Sequence, residues 1–248
     1  MRNPCCKLNE YDVTGWLNLP RVPEPEIMDD SGAVQAYSSA AAQLYLSQLD
    51  DTFVAHALRL VAPRRDFGRG LDIGTGPGQI VWKLARRLSG WHLVGVDRSP
   101  TMIRQALAEG DVPGGETSCR VQFLQADGGH LPFADASIDL VLCNSVLHHL
   151  ERSARLLAEI KRVANPAGAI LVRDLRRPSR LAFPMHVRWY GRHYRGLMYK
   201  LYCDSVRAAY TLDELSGMLH ESPVTGTRLF TVGQTHLGFE RPAQTLPL

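Results

Sequence analysis

The residues LDIGTGPGQI, from Leu71 to Ile80, indicate the fold class of this chain because they join a short apolar run to an amphipathic segment. The apolar run at 70–73 predicts a buried strand, and the segment at 79–88 places its apolar residues on one helical face. The three glycines between them let the backbone turn tightly and leave no Cβ in the way of a ligand. The first amides of the helix are then open to that ligand. The stretch therefore predicts a strand, a turn and a helix with a ligand site at the turn.

The same alternation of apolar run and amphipathic segment continues along the chain, which is typical of a mainly parallel sheet covered by helices. Further strands are predicted at 92–97, 121–127, 138–144 and 169–175, and in a closing pair at 227–232 and 235–241. Helices are predicted at 33–61, 99–110, 152–165 and 211–220. We therefore predict an α/β fold with a doubly wound, mainly parallel seven-stranded sheet and an antiparallel last strand.

The 248 residues suit one large domain with a single core, since two independent domains would be cramped. Within this domain we predict a helical N-terminal cap at 1–67 and a cofactor-binding core at 68–175. An insertion at 176–210 is predicted to form a substrate lid. A C-terminal helix and strand pair is predicted at 211–248.

The composition is that of an ordinary globular protein, with 45% apolar and 21% charged residues. No apolar run approaches the roughly 20 residues that a membrane-spanning helix needs, and the N-terminus lacks a secretory pattern. We therefore predict a cytoplasmic protein with no membrane partner. The five cysteines lack C-x-x-C spacing, so we predict neither disulfides nor a metal site and assign no role to Cys5 and Cys6.

Three acidic residues lie at or near the ends of the first three predicted strands. Asp72 precedes the first glycine of the turn by two positions, where a carboxylate attracts an ammonium group and repels a pyrophosphate. Asp97 follows Gly78 by 19 residues, the distance at which such folds place an acid for the ribose hydroxyls. Asp127 can accept a hydrogen bond from the amino group of adenine. Because ligands bind at the carboxyl edge of such sheets, the acids predict a nucleoside that carries an ammonium group.

The chain resembles the class I S-adenosylmethionine-dependent methyltransferases, most clearly over residues 68–175. The resemblance rests on DIGTGPG, on VGVDRSPTMI and above all on QADGGHLPFADASIDLVLCNSVLHHL, although Ile138 replaces an aromatic residue common in the family. It implies S-adenosylmethionine as cofactor and S-adenosylhomocysteine as product. The cofactor-binding residues that it implies are Tyr37, Asp72, Gly74, Thr75, Gly76, Gly78, Asp97, Arg98, Met102, Ala126, Asp127, Gly128 and Asn144.

The resemblance also implies roles for single side chains. Met102 is expected to flank adenine, Asn144 to close over the methionine portion, and Tyr37 to lie beside the reactive methyl group. Transfer of a methyl group from a sulfonium needs alignment of the acceptor, the methyl group and sulfur more than chemical activation. His149 is the candidate general base for an acceptor that loses a proton. Asp174 is the second candidate catalytic residue, either contacting the substrate or pairing with one of the arginines beside it.

The predicted insertion combines basic and aromatic residues, although the net charge of the whole chain is only +3. Its basic residues are Arg176, Arg177, Arg180, Arg188, Arg192, Arg195 and Lys200, and its aromatic residues are Phe183, Trp189, Tyr190, Tyr194, Tyr199 and Tyr202. This mixture suits an anionic or flat acceptor or an RNA strand. It is equally typical of an ordinary lid whose aromatic residues pack and whose arginines are solvated. The leading prediction is methyl transfer to a small-molecule acceptor.

Three alternatives stay open on the sequence alone. An RNA-directed methyltransferase fits the basic insertion, but the fourth strand ends in CNSV and lacks the D/N-P-P-Y/F element of nucleobase methylases. A nicotinamide oxidoreductase would share the turn, but it would carry G-x-G-x-x-G in place of G-x-G-x-G. A non-catalytic protein that binds S-adenosylmethionine would share every cofactor residue.

Overall fold

The computed structural model describes residues 17–24, 44–61, 66–109, 119–151 and 153–244. Its strands form one seven-stranded sheet in the order β3-β2-β1-β4-β5-β7-β6. They are β1 (Arg69–Ile73), β2 (His92–Asp97), β3 (Arg120–Gln125), β4 (Ile138–Asn144), β5 (Ala164–Leu175), β6 (Arg228–Val232) and β7 (His236–Arg241). Neighbouring strands from β3 through β5 are parallel, whereas β7 is antiparallel to both β5 and β6. This mixed sheet confirms the predicted fold class.

Helices pack on both faces of the sheet. They are α1 (Leu44–Leu60), α2 (Gln79–Ala85), α3 (Pro100–Glu109), α4 (Ala154–Val163), α5 (Phe183–Tyr190), α6 (Gly196–Ala208) and α7 (Leu212–His220). Short 3-10 turns lie at Leu147–His149 and Gly191–His193. The predicted insertion contains α5 and α6, and α1 lies in the predicted N-terminal cap. At the start of α7, Thr211 and Glu214 form the reciprocal hydrogen bonds of a capping box.

Two apolar layers hold the helices onto the sheet, one on each face. Buried side chains of α1, α2 and α3 pack against one face, where Leu140 and Leu142 lie at the centre. Buried side chains of α4 and α7 pack against the other face, around Val141 and Cys143. Because both faces of the central strands are covered, their sequences are continuous apolar runs instead of alternating ones.

Helices α2 and α4 end earlier than predicted. Helix α2 ends at Ala85 instead of at 88, where the N–H of Arg87 donates to the carbonyl oxygen of Leu84 three residues earlier, the spacing of a 3-10 turn. Helix α4 ends at Val163 instead of at 165, because Ala164 has extended backbone angles and pairs with β4. Strand β5 therefore begins at Ala164, before its predicted start at 169.

Gly78 is the position in the turn between β1 and α2 that most requires glycine. It has φ +81°, and a Cβ there would lie 2.8 Å from Phe123 Cζ and 2.9 Å from Ala106 Cβ. We therefore expect Gly78→Ala to lower the free energy of unfolding by roughly 2–3 kcal/mol, through backbone strain and overlap with β3 and α3. Chemical denaturation measures this change.

Gly217, in the middle of α7, is the matched control for Gly78. A Cβ at Gly217 would meet no atom within 4 Å. Gly217→Ala is therefore expected to leave stability unchanged or to raise it by up to about 1 kcal/mol, since alanine favours helix. Equal stability of the two variants would contradict the account of Gly78.

The strand order reverses beside β1, because the chain proceeds outward through β2 and β3 and then returns to β4 on the other side of β1. At such a point the loops after the two central strands leave in opposite directions and open a crevice at the carboxyl ends. Within the described ranges, no helix is long and apolar enough to cross a membrane.

Candidate active site

A cavity of about 980 Å³ opens at the carboxyl ends of β1, β2, β4 and β5. Its size is at the upper end of the range for small-molecule sites. Ten residues that the sequence predicted for the site line this cavity: Gly74, Gly76, Asp97, Arg98, Met102, Ala126, Asp127, Gly128, Asn144 and His149. The structure therefore brings together residues from four separate segments of the sequence.

Four other predicted site residues lie behind the cavity wall. Asp72 and Thr75 are buried beneath the glycine turn, Gly78 begins α2, and Asp174 is completely buried in β5. Tyr37, like Cys5 and Cys6, lies outside the described residues.

Asp97 at the end of β2 organises the glycine turn. Its Oδ2 accepts a hydrogen bond of 2.8 Å from the N–H of Gly76, and its Oδ1 accepts one of 2.9 Å from the N–H of Ser99. Burial raises the pKa of Asp97, although these backbone donors stabilise the ionised form. The carboxylate therefore links the turn after β1 to the start of α3 while it borders the cavity.

Asp72 carries an unpartnered oxygen in the interior. Its side chain is 2% exposed, and neither its Oδ2 nor Thr75 Oγ1 has a hydrogen-bond partner among the described residues. Burial raises the pKa of Asp72 to about 7. A buried carboxylate without a donor is costly, so this group favours a cationic ligand nearby.

Asp127 and Asn144 each border the cavity but are held by different contacts. Asp127 lies beyond the end of β3, where its Oδ1 accepts a hydrogen bond of 2.8 Å from the N–H of Gly129. Asn144 Oδ1 accepts a hydrogen bond of 2.9 Å from Arg173 Nε at the end of β5. Arg173 also donates to Thr52 and Leu49 of α1, and burial lowers its pKa to about 10. The guanidinium thus fixes α1 over the cavity.

Asp174 pairs with a histidine and not with the arginines considered from the sequence. Its Oδ1 lies 2.5 Å from His148 Nδ1, and its Oδ2 accepts a hydrogen bond of 3.2 Å from the His148 N–H. Burial lowers the pKa of His148, but the Asp174 carboxylate outweighs burial and holds that pKa above its usual value. Asp174 therefore positions His148 from behind, and it is His148 that borders the cavity.

His149 borders the cavity beside His148, with ring centroids 4.1 Å apart. Its Nδ1 lies 3.0 Å from Glu24 Oε2. Burial and the adjacent His148 lower the pKa of His149, so the imidazole is neutral near pH 7. The segment that carries Glu24 is held in place by Arg21, which donates to the carbonyl oxygens of His148, Leu150 and Ala208.

The insertion lines the cavity with aromatic and apolar side chains. Tyr190, Tyr194, Met198, Leu201 and Tyr202 border it, whereas none of the basic residues at 176–200 does. Arg177 is buried against Glu214, and Lys200 pairs with Asp204 at 2.7 Å. The segment therefore turns several of its aromatic residues, and none of its basic residues at 176–200, toward the cavity.

Three residues of the site were not predicted as such. Glu24 and Arg21 lie in a proline-rich segment without periodicity, so nothing local indicates that Glu24 contacts His149 or that Arg21 holds this segment in place. Asp50 on α1 borders the cavity, and burial raises its pKa to about 6. In the sequence, Asp50 is an acidic residue on a predicted helix, which is the ordinary pattern of a solvent-exposed face.

Comparison with known proteins agrees with this geometry. Residues 71–172 match the model of a family described as a methyltransferase domain. An uncharacterized methyltransferase of Mycobacterium sp. (strain JLS) is 30% identical over 210 residues, which cover 84% of this chain and 74% of that protein. The chain belongs to the class I S-adenosylmethionine-dependent methyltransferases.

The methyltransferase is also similar to two proteins with named acceptors. The demethylmenaquinone methyltransferase of Thermus thermophilus is 31% identical over 138 residues, which cover 56% of each chain. A solved phosphoethanolamine N-methyltransferase 2 of Haemonchus contortus, in complex with S-adenosyl-L-methionine, has a TM-score of 0.61 at 15% identity. That alignment covers 86% of the methyltransferase and 57% of the Haemonchus chain, and it shows the fold alone. The methyltransferase thus spans little more than half the length of either protein.

The chemistry of the site fits S-adenosylmethionine, the cofactor of the family to which the chain belongs. The buried Asp72 oxygen without a partner suits a cationic amino-acid portion, and Gly74 and Gly76 of the glycine turn border the cavity without a side chain. When bound, the cofactor supplies an electrophilic methyl group on a sulfonium centre.

Proposed function

We propose that this methyltransferase transfers a methyl group to an uncharged aromatic small molecule. The observation that carries the proposal is the orientation of the insertion, which lines the cavity with three tyrosines, Met198 and Leu201 and keeps its basic residues away from it. Aromatic walls favour a flat apolar acceptor through stacking and burial of apolar area. The anionic acceptor considered from the sequence has less support, because it rested on those basic residues.

We assign the cofactor to the part of the cavity beside β1 and β2. Asp97 would accept hydrogen bonds from the ribose hydroxyls, and Asp127 from the adenine amino group. Asp72 would stabilise the ammonium group, directly or through water. Met102, which is 5% exposed, would pack against adenine. This arrangement leaves the space between the insertion and His149 for the acceptor.

His149 is the proposed general base. Because its Nδ1 faces the Glu24 carboxylate, the neutral tautomer donates from Nδ1 to Glu24 and presents the lone pair of Nε2. Glu24 would then stabilise the imidazolium that forms when Nε2 takes the proton of an acceptor hydroxyl. Asp174 acts as a positioning residue, since it holds His148 and thereby the His148–His149 pair. The side chains of the insertion exclude water from the reacting atoms.

An aromatic acceptor also agrees with the name of one relative. Demethylmenaquinone, the compound in the name of the Thermus thermophilus protein, contains a quinone fused to an aromatic ring. RNA as acceptor has less support, because three tyrosines of the insertion border the cavity. An RNA strand would need open aromatic faces on the outside.

Methyl transfer from isotopically labelled S-adenosylmethionine to two contrasting acceptor classes tests the proposal. Hydroxynaphthalenes and reduced naphthoquinones represent the aromatic class, and phosphoethanolamine represents the anionic class. Mass spectrometry is expected to detect labelled aromatic products and none with phosphoethanolamine. Transfer to phosphoethanolamine alone would overturn the proposed acceptor class.

The His149→Gln variant tests the general base. With a hydroxyl acceptor, we expect kcat to fall by about 100-fold or more, with little change in cofactor affinity. For the wild type, kcat/KM should rise with pH through a midpoint below 6.5 and be level above pH 7, because the pKa of His149 is lowered. His220→Gln, at the exposed end of α7, is the control. A pH profile that is the same in wild type and His149→Gln would exclude His149 as the base.

A further inference from the structure

One face of α5 and its flanking turns carries large apolar side chains in solvent. Leu181, Met185 and Trp189 are 64%, 74% and 62% exposed. They are spaced four residues apart, so they lie on the same side of the helix. Arg188 and Arg192 follow Met185 and Trp189 by three residues each, which places them on the same side. Both arginines are exposed. We call these five residues the outer face.

The surroundings of the outer face are strongly basic. Arg180, Arg195 and Lys200 are exposed nearby, and the sequence contains no acidic residue between Asp174 and Asp204. Leu197, 47% exposed at the start of α6, adds another apolar side chain. Apolar and aromatic side chains interleaved with cations are typical of helices that lie in the interface of an anionic bilayer.

The outer face belongs to the same segment that lines the cavity. Tyr190, Tyr194 and Met198 border the cavity. In the sequence, each of them is adjacent to an exposed residue of this segment. On α5 itself, His186 and Val187 are buried, so the helix packs with one side and presents the other to solvent. The segment therefore forms a wall between the cavity and its surroundings.

We infer that the outer face docks the methyltransferase onto the surface of a membrane that contains anionic phospholipids. Met185, Leu181 and Trp189 would insert among the headgroups and upper acyl chains, and Arg188 and Arg192 would pair with lipid phosphates. Single-stranded RNA is bound mainly through cationic and aromatic side chains, so the exposure of aliphatic Leu181 and Met185 beside them favours a bilayer over RNA. The inference goes beyond methyl transfer and does not depend on the identity of the acceptor. It departs from the prediction of no membrane partner, which rested only on the lack of a membrane-spanning segment in the sequence and does not bear on docking at the surface.

Co-sedimentation of the full chain with vesicles tests this docking. Binding to vesicles of phosphatidylcholine mixed with phosphatidylglycerol is expected to be at least about ten-fold tighter than to phosphatidylcholine alone, and to weaken as salt is raised. A Met185→Ala/Trp189→Ala double variant should bind the mixed vesicles at least about ten-fold more weakly. An Arg188→Ala/Arg192→Ala double variant should lose roughly 20-fold on the mixed vesicles and little on phosphatidylcholine.

Matched controls lie at the opposite end of the sheet. Phe67 is 79% exposed just before β1, and Arg86 and Arg87 are exposed at the end of α2. Phe67→Ala and Arg86→Ala/Arg87→Ala are expected to leave vesicle binding unchanged. Calorimetric binding of S-adenosylhomocysteine by every variant verifies that the fold is intact, independently of transferase activity. Absence of binding to the mixed vesicles, or equal binding by the outer-face variants and the wild type, would overturn the inference.

Discussion

Asp97→Ala is expected to lower the affinity for S-adenosylmethionine and S-adenosylhomocysteine by about 100-fold or more, because hydrogen bonds to a charged acceptor contribute about 1.5–3 kcal/mol each. Two effects act together. The proposed ribose contacts are lost, and so is the link from Oδ2 to the N–H of Gly76, which holds the glycine turn. Isothermal titration calorimetry of both ligands measures the change.

Asp135→Ala is the matched control for Asp97→Ala, since Asp135 is exposed, pairs with Arg162 and does not border the cavity. Its cofactor affinity should equal that of the wild type. Asp97→Asn keeps one acceptor oxygen and should lie between the wild type and Asp97→Ala. Circular dichroism of each variant reports whether the fold is retained. Unchanged affinity in a folded Asp97→Ala protein would remove Asp97 from the cofactor site.

Asp72→Asn is expected to change stability and cofactor binding in opposite directions. The pKa of Asp72 is raised from 3.8 to about 7 by burial, so the fold favours the protonated carboxyl. As pH rises from about 4 to 7, ionisation of Asp72 therefore lowers the free energy of unfolding of the wild type, by about 4 kcal/mol at most. An uncharged amide at this position would not cause that loss. The Tm of Asp72→Asn should exceed that of the wild type near pH 7 and approach it near pH 4.

Ionisation of the same carboxyl should raise the affinity for the cofactor, whereas it lowers the stability of the fold. Because an ionised Asp72 attracts the cationic amino-acid portion, the affinity of the wild type should rise between about pH 5 and pH 7.5, as the buried group loses its proton. Asp72→Asn should bind at least about ten-fold more weakly near pH 7 and show a flatter dependence on pH. Thermal scans and calorimetry at several pH values measure both effects. A destabilised Asp72→Asn protein with unchanged affinity would refute both.

The residues proposed to bind the cofactor could be placed together from the sequence because their determinants are local. Each of Asp72, Asp97 and Asp127 lies within two residues of a strand end, and the carboxyl ends of parallel strands meet at one edge of the sheet. Asp127 lies two residues beyond the observed end of β3, but the strand still directs it to that edge. The predicted ends of helices and strands were less accurate than the prediction of which helices and strands form, as the early end of α4 at Val163 illustrates.

The acceptor half depends on contacts between residues far apart in the chain. Glu24 reaches His149 across 125 positions, and Arg173 holds α1 over the cavity through Thr52, 121 residues away. No periodicity or spacing encodes such contacts, because they follow from how the insertion and the N-terminal segment pack on the finished sheet. The same reason explains why Asp174 pairs with His148 instead of with a neighbouring arginine.

The sheet and the glycine turn could be inferred from the amino-acid sequence, since they follow from short-range patterns of apolar and glycine residues, and the cofactor followed from the resemblance of its motifs to a family. Which side chains of the insertion face the cavity and which face solvent became clear only from the packing of the folded chain. A helix such as α5 carries tyrosine, tryptophan, methionine and arginine in one short stretch. Which of its sides is buried depends on the surface against which it packs, and that surface exists only once the whole chain has folded.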